Sequence, residues 1–292
     1  MFKGSITALV TPFRNGAVDA AAFQNFVDWQ IKEGIDGVVP CGTTGESPTL
    51  SHDEHKRVVE LCLEVAKGKV PVIAGTGSNS TDEAIDLTRH AEKAGADAAL
   101  VVLPYYNKPT PEGQYLHFKA VHDATNIPIV IYNVPPRTVV DMSVDTMARV
   151  AKLPRVIGVK DATADLARPI RTRIAIGKDF CQLSGEDGTA LPFLIQGGHG
   201  CISVTANAAP KLTSQMQAAW RKGDIETAMS LNERLMPLND ALFCETSPGP
   251  IKFAMSLLGH GTSELRLPMA PIAEASKQKV EAAMKKVGLI GQ

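Results

Sequence analysis

The chain has 292 residues, 44% of them hydrophobic and 21% charged, with 30 basic side chains against 31 acidic ones. A net charge of −1 without a basic stripe or tail gives no electrostatic footing for a phosphate backbone, so nucleic acid is excluded as a partner. Five cysteines without a Cys-x-x-Cys pair fit a reducing compartment. No apolar run approaches the ~18–20 residues of a membrane span, and no leader pattern opens the chain, so a cytoplasmic protein without membrane contact is expected.

Taken in chain order, short apolar runs alternate with amphipathic stretches eight times. The strands are predicted at residues 6–10, 37–39, 70–74, 98–103, 129–132, 156–159, 180–183 and 200–204. They are rich in Val and Ile and continuously apolar, as strands covered on both faces are. Between them, Ser51 with Glu54 and Ser80 with Glu83 have capping-box spacing, and Thr110-Pro111 places proline in a first helical turn. Pro169 either starts the sixth helix or bends it. Eight strand–helix units predict an α/β fold, a (β/α)8 TIM barrel, with an open doubly wound sheet as the alternative. After the eighth unit only helices follow, at 225–243, 250–258 and 272–287, with Gly259 and Gly288 placed as C-caps. The expected organisation is a barrel catalytic domain at 1–224 and a C-terminal helical extension at 225–292.

Barrel enzymes carry their chemistry where strands end. Among 18 lysines, Lys160 alone follows a compact strand run, Val156-Ile157-Gly158-Val159. An inward lysine there lies among apolar groups, and burial disfavours an ammonium, which frees an amine for attack on a carbonyl. The structural alternative is a buried lysine paired with Asp161 or Glu186. Tyr106 and Tyr132, two of four tyrosines, stand at strand ends, and phenols linked through the hydroxyl of Thr43 would move protons without a metal. Each aromatic could equally be packing. Gly42-Thr43-Thr44-Gly45 is either a tight turn or a set of backbone N–H groups for a carboxylate. Arg137, behind Pro135-Pro136, suits bidentate carboxylate binding or a surface ion pair. His52-x-x-His55 reads as a polar helix face, and no cluster completes a metal site. Neither a metal nor an organic cofactor is expected.

These residues carry a resemblance over nearly the whole chain. The run Gly37-Val38-Val39-Pro40-Cys41-Gly42-Thr43-Thr44-Gly45-Glu46-Ser47, and Tyr132-Asn133-Val134-Pro135-Pro136-Arg137-Thr138 with Lys160 28 residues beyond Tyr132, resemble the 4-hydroxy-tetrahydrodipicolinate synthase family. That family belongs to the pyruvate-dependent lyases, with N-acetylneuraminate lyase. The resemblance implies a lysine-biosynthetic enzyme that condenses pyruvate with L-aspartate-4-semialdehyde through an imine on Lys160. It implies proton relay by Thr43, Tyr132 and Tyr106, the last from a neighbouring subunit of a homotetramer. Thr43 and Thr44, near Ile202, would hold the pyruvate carboxylate; Arg137 would bind the semialdehyde, and Gly185 would leave room at the imine. It further implies L-lysine as an inhibitor at His52, His55, Asn79, Glu83 and Tyr105, with Pro48 and Ser247 as departures from the family pattern. Competing readings are a 2-keto-3-deoxy sugar-acid aldolase on the same scaffold, which generally lacks an arginine at position 137, and a non-catalytic sensing barrel.

Overall fold

The computed structural model describes residues 1–291. Eight parallel strands share one sheet: β1 (Gly4–Ala8), β2 (Gly37–Val39), β3 (Ile73–Gly75), β4 (Ala98–Val102), β5 (Ile129–Asn133), β6 (Val156–Asp161), β7 (Cys181–Ser184) and β8 (Gly200–Ser203). Their hydrogen-bonded order is β2-β1-β8-β7-β6-β5-β4-β3. The two ends meet through a parallel bridge between Val38 and Val72, flanked by bonds from Val38 N to Pro71 O and from Gly75 N to Pro40 O. The sheet therefore closes, and the open alternative is excluded. Every expected strand is present, with small shifts at the ends. One shift matters: β6 runs on to Asp161, so Lys160 lies within the strand rather than after it.

Closure gives each strand an inner and an outer face, and residues alternate between them. Ile6, Leu100, Val130, Leu183 and Ile202 fill the barrel interior. Ala99, Val101, Ile129, Ile131 and Val159 pack outward beneath the helices. This double burial is why the strands are legible as unbroken apolar runs.

The surrounding helices are α1 (Ala20–Lys32), α2 (His52–Ala66), α3 (Thr81–Ala94), α4 (Pro111–Ala124), the short turn α5 (Pro135–Thr138), α6 (Val144–Val150), α7 (Arg168–Ile176), α8 (Ala190–Ile195) and α9 (Pro210–Arg221). At α2 the capping box is complete: Glu54 N donates to Ser51 Oγ, and Ser51 N donates to the Glu54 carboxylate. At α3 only half forms. Ser80 accepts from Glu83 N, but the Glu83 carboxylate accepts instead from Ser78 Oγ at 2.7 Å. Pro169 sits in the first turn of α7 and does not bend it.

Helices α10 (Ile225–Ala241), α11 (Gly249–Leu257) and α12 (Glu274–Val287) complete the chain. Gly288 caps α12, while Gly259 lies one residue beyond the C-cap of α11, Leu258. Leu235, Ile251 and Val280 share one apolar cluster with Phe26 of α1 and Val58 of α2. The extension's helices pack chiefly on α9 and α8, and the loop after α11 reaches α1 and α2, where His260 stacks on Trp29 and Arg266 meets Glu54. Among the described residues no helix is long and apolar enough to cross a membrane.

Candidate active site

Register places the central lysine. Tyr132 of β5 pairs with Lys160, and Lys160 pairs with Leu183 of β7. Tyr132 and Leu183 belong to the interior cluster, so Lys160 points inward and its neighbour Asp161 outward. Lys160 is 6% exposed, with Nζ 4.4 Å from the centre of the Tyr132 ring. Asp161 is engaged elsewhere. Its carboxylate accepts from Thr163 N and Oγ1 at 2.9 and 2.6 Å and lies 3.6 Å from Arg168 Nε. Glu186, the other expected structural partner, is not paired with Lys160 either; burial pushes its carboxyl up. Asp187 beside it is occupied by Ser203 Oγ and the N–H groups of Val204 and Thr205.

Lys160 remains the one lysine on a barrel strand among the described residues, but it is not the only buried one. Lys252 of α11 is 1% exposed, and burial holds its ammonium below the usual lysine range. Its Nζ, however, lies 2.5 Å from Glu46 Oε1. Among the described residues Lys160 has no carboxylate within 4 Å of its amine. Lys252 is tied up in a direct ion pair, whereas the Lys160 amine has only the more distant Glu186 and Asp187 acting on it and faces the Tyr132 ring, which leaves it open to a carbonyl.

Room for that amine depends on Gly185. A Cβ there would come within 3.0 Å of Lys160 Cε and 2.7 Å of Ala162 Cβ. Above β5 a cavity of about 470 Å3 is walled by Thr43, Tyr132 and Arg137, and also by His52, His55, Glu83 and Tyr105. Tyr132 belongs to both parts of the site, lining the cavity and touching the Lys160 amine. Lys160, Gly185, the buried Thr44 and the fully buried Ile202 do not form the cavity walls. Asn79 is also outside them, half-buried, its carbonyl accepting from Asn107 Nδ2 at 2.8 Å. Tyr106 stands apart, 88% exposed with a φ of 71°.

The loop after β2 is a hydrogen-bonded turn, with Gly45 N and Glu46 N donating to Gly42 O and Thr43 O at 3.1 Å. Among the described residues, the N–H groups of Thr43 and Thr44 have no protein acceptor, so the turn and carboxylate-binding readings are compatible. Cys41 and Glu46 bracket it with φ of 55° and 54°, left-handed conformations that cost a non-glycine residue about 1–3 kcal/mol each. Cys41 lines the cavity and its thiol approaches His55 O at 3.5 Å. Arg137 is exposed, with Nη2 3.4 Å from Ser247 O. Position 247 therefore contributes a backbone carbonyl there.

The histidine pair does not form a polar helix face. His55 is 3% exposed, and burial lowers its imidazole to about 4. His52 Nε2 lies 3.8 Å from Glu83 Oε1. Burial and the nearby Glu83 raise the Tyr105 phenol. Sequence reasoning missed Glu46, Lys252 and Arg266 beneath the loop, and Ser47 and Ser78 in the cavity wall. Lys252 gave one signal, a lone charge in Pro250-Ile251-Lys252-Phe253-Ala254-Met255.

A closed barrel with a buried lysine on β6 outside any direct ion pair, a tyrosine against it and a cavity above defines a class, the (β/α)8-barrel lyases centred on a strand-six lysine. A model described as the dihydrodipicolinate synthetase family matches residues 1–287, and the chain belongs to that family. It is 66% identical over 290 residues to the 4-hydroxy-tetrahydrodipicolinate synthase of Rhodospirillum centenum, covering 99% of this chain and 100% of that one. Similar solved structures include the chloride-inhibited dihydrodipicolinate synthase of Acinetobacter baumannii complexed with pyruvate, at TM-score 0.97 and 44% identity, covering 99% of this chain and 100% of that one. Another is the enzyme of Cyanidioschyzon merolae with lysine bound, at TM-score 0.96 and 37% identity, covering 99% of each chain.

Proposed function

We propose that this chain condenses pyruvate with L-aspartate-4-semialdehyde to give 4-hydroxy-tetrahydrodipicolinate, in lysine and diaminopimelate biosynthesis, through an imine on Lys160. The observation that carries the mechanism is the contrast between two buried lysines, one bonded directly to Glu46 and one with no carboxylate within 4 Å of its amine. The Lys160 amine adds to the pyruvate ketone, and water leaves as the imine forms. Loss of a methyl proton gives an enamine, whose carbon attacks the aldehyde. The amino group of the second substrate then displaces Lys160 from the imine carbon, closing the ring and freeing the enzyme.

Tyr132, against the amine, and Thr43, in the same cavity wall, carry protons in these steps. The free N–H groups at Thr43 and Thr44 hold the pyruvate carboxylate in the neighbourhood of Ile202. Arg137 binds the carboxylate of the semialdehyde. Tyr106 completes the relay from a neighbouring subunit of a homotetramer. Its exposure supports that role, as the exposed Ile170, Ile174 and Ile195 support a further contact between subunits. We assign catalysis to the barrel, 1–224, and the helical extension to 225–292, in a cytoplasmic enzyme.

His52, His55, Glu83 and Tyr105 in the cavity wall, with Asn79 beside them, form the site at which L-lysine inhibits. Millimolar lysine that leaves activity unchanged removes that assignment. The mechanism is tested by borohydride reduction in the presence of pyruvate, with peptides read by mass spectrometry. A pyruvyl adduct is expected on Lys160; its absence, or an adduct on another lysine alone, overturns the mechanism.

A further inference from the structure

The turn between β2 and α2 is held from the far end of the chain. Glu46, one of its two left-handed non-glycine residues, is 3% exposed. Its carboxylate is gripped on both oxygens by the C-terminal extension. Lys252 Nζ lies 2.5 Å from Oε1, and Arg266 N donates to Oε2 at 3.1 Å. The Lys252 ammonium and the Arg266 guanidinium lie 4.0 and 4.3 Å from the centre of the Phe13 ring. Arg266 then reaches past the turn to the start of α2. It meets Glu54 with two bonds of 2.7 and 2.6 Å, and also donates to Thr49 O and Gly16 O. Glu54 is the residue that closes the capping box of α2.

A buried ion pair of this kind contributes little net stability compared with apolar residues of the same volume, because desolvating both charges offsets their attraction. Its effect is on geometry. A salt bridge to one oxygen and a backbone N–H to the other hold the carboxylate of a strained residue and fix where the adjoining turn points, much as a second layer of contacts orients the groups that touch a ligand.

We propose that Lys252 is a positioning residue for substrate binding: through Glu46 it sets the turn whose Thr43 and Thr44 N–H groups meet the carboxylate of a 2-oxo acid. The inference rests on the carboxylate-binding role proposed above for that turn. Lys252 itself touches no substrate, so its contribution is selective. It governs recognition of the carboxylate and leaves the aldehyde site and the Lys160 amine alone.

The test uses the full-length enzyme with Lys252→Met, and with Lys252→Met combined with Glu46→Gln. The double variant removes both charges and strands neither, so it supplies the readout if the single variant does not fold. Kinetics with both substrates varied are expected to show a pyruvate KM raised about tenfold or more, with the semialdehyde KM unchanged. Borohydride trapping is then run with pyruvate and with methyl pyruvate, which lacks the charged carboxylate. The unmodified enzyme should favour pyruvate strongly, and the variants should lose most of that preference. A merely structural role would reduce the active fraction, lowering kcat with both KM values unchanged, and that result overturns the proposal. Variants that discriminate pyruvate from its ester as well as the unmodified enzyme also overturn it, while leaving the turn's own role intact. An unmodified enzyme that traps both compounds equally overturns the carboxylate role of the turn, and the inference with it.

Discussion

Replacing Gly185 with alanine probes the room around the reactive amine. The added methyl would lie 2.7 Å from Ala162 Cβ, 3.0 Å from Lys160 Cε and 3.2 Å from Asp161 O, against ordinary contacts of 3.4–4 Å. Ala162 and Asp161 have little freedom to retreat, since Ala162 N donates to Asn133 O at 2.9 Å and Asp161 O accepts from Gly185 N at 2.7 Å. The flexible Lys160 tail yields by about half an ångström, while the 2.7 Å contact with Ala162 is relieved only by moving backbone at 162 or 185. Overpacking of this kind costs about 1–3 kcal/mol of stability. Misplacing a reacting atom by up to about 1 Å costs about 10–100-fold in rate. Gly185→Ala should thus remain folded, with kcat and the pyruvate-trapping rate down together by that factor. Thermal denaturation and single-turnover borohydride trapping read the two effects separately. Activity within twofold of the unmodified enzyme would refute the assignment of this space to the imine.

Lys160→Met should abolish adduct formation and cost less stability than Lys252→Met, because it breaks no direct ion pair, whereas Lys252→Met should cost about 3–5 kcal/mol by stranding Glu46. Equal destabilisation of the two variants, measured by urea denaturation, would contradict the distinction between them. Arg137→Ala should raise the semialdehyde KM about 10–100-fold and leave the pyruvate KM alone; a matching loss for pyruvate in steady-state kinetics would count against its role. Burial lowers His55 and His117 from 6.5 to about 4. The unfolded chain therefore binds more protons between those values, and stability falls as pH drops from about 6.5 towards 4, by up to about 3 kcal/mol for each histidine. Denaturation midpoints for His117→Gln should show a shallower pH dependence over that window, and an unchanged slope would contradict burial as its source.

The sequence by itself determined what local pattern can encode. Strands covered on both faces are apolar without alternation, so all eight could be found. The capping box at Ser51 and Glu54 satisfies backbone groups within one turn of α2, so it was legible from spacing alone. The same spacing at Ser80 was misleading, because Ser78 competes for the Glu83 carboxylate. Lys160 stood out because its setting is written in the four residues before it. What makes it reactive was decided only by the closed barrel. Register sets Tyr132 opposite Lys160 and turns Asp161 outward, and no linear pattern records which carboxylates are thereby drawn away. The folded structure also separated Lys160 from Lys252, whose neutralising partner is 206 residues distant. Coulomb attraction acts through space, and only tertiary packing brings those two charges together.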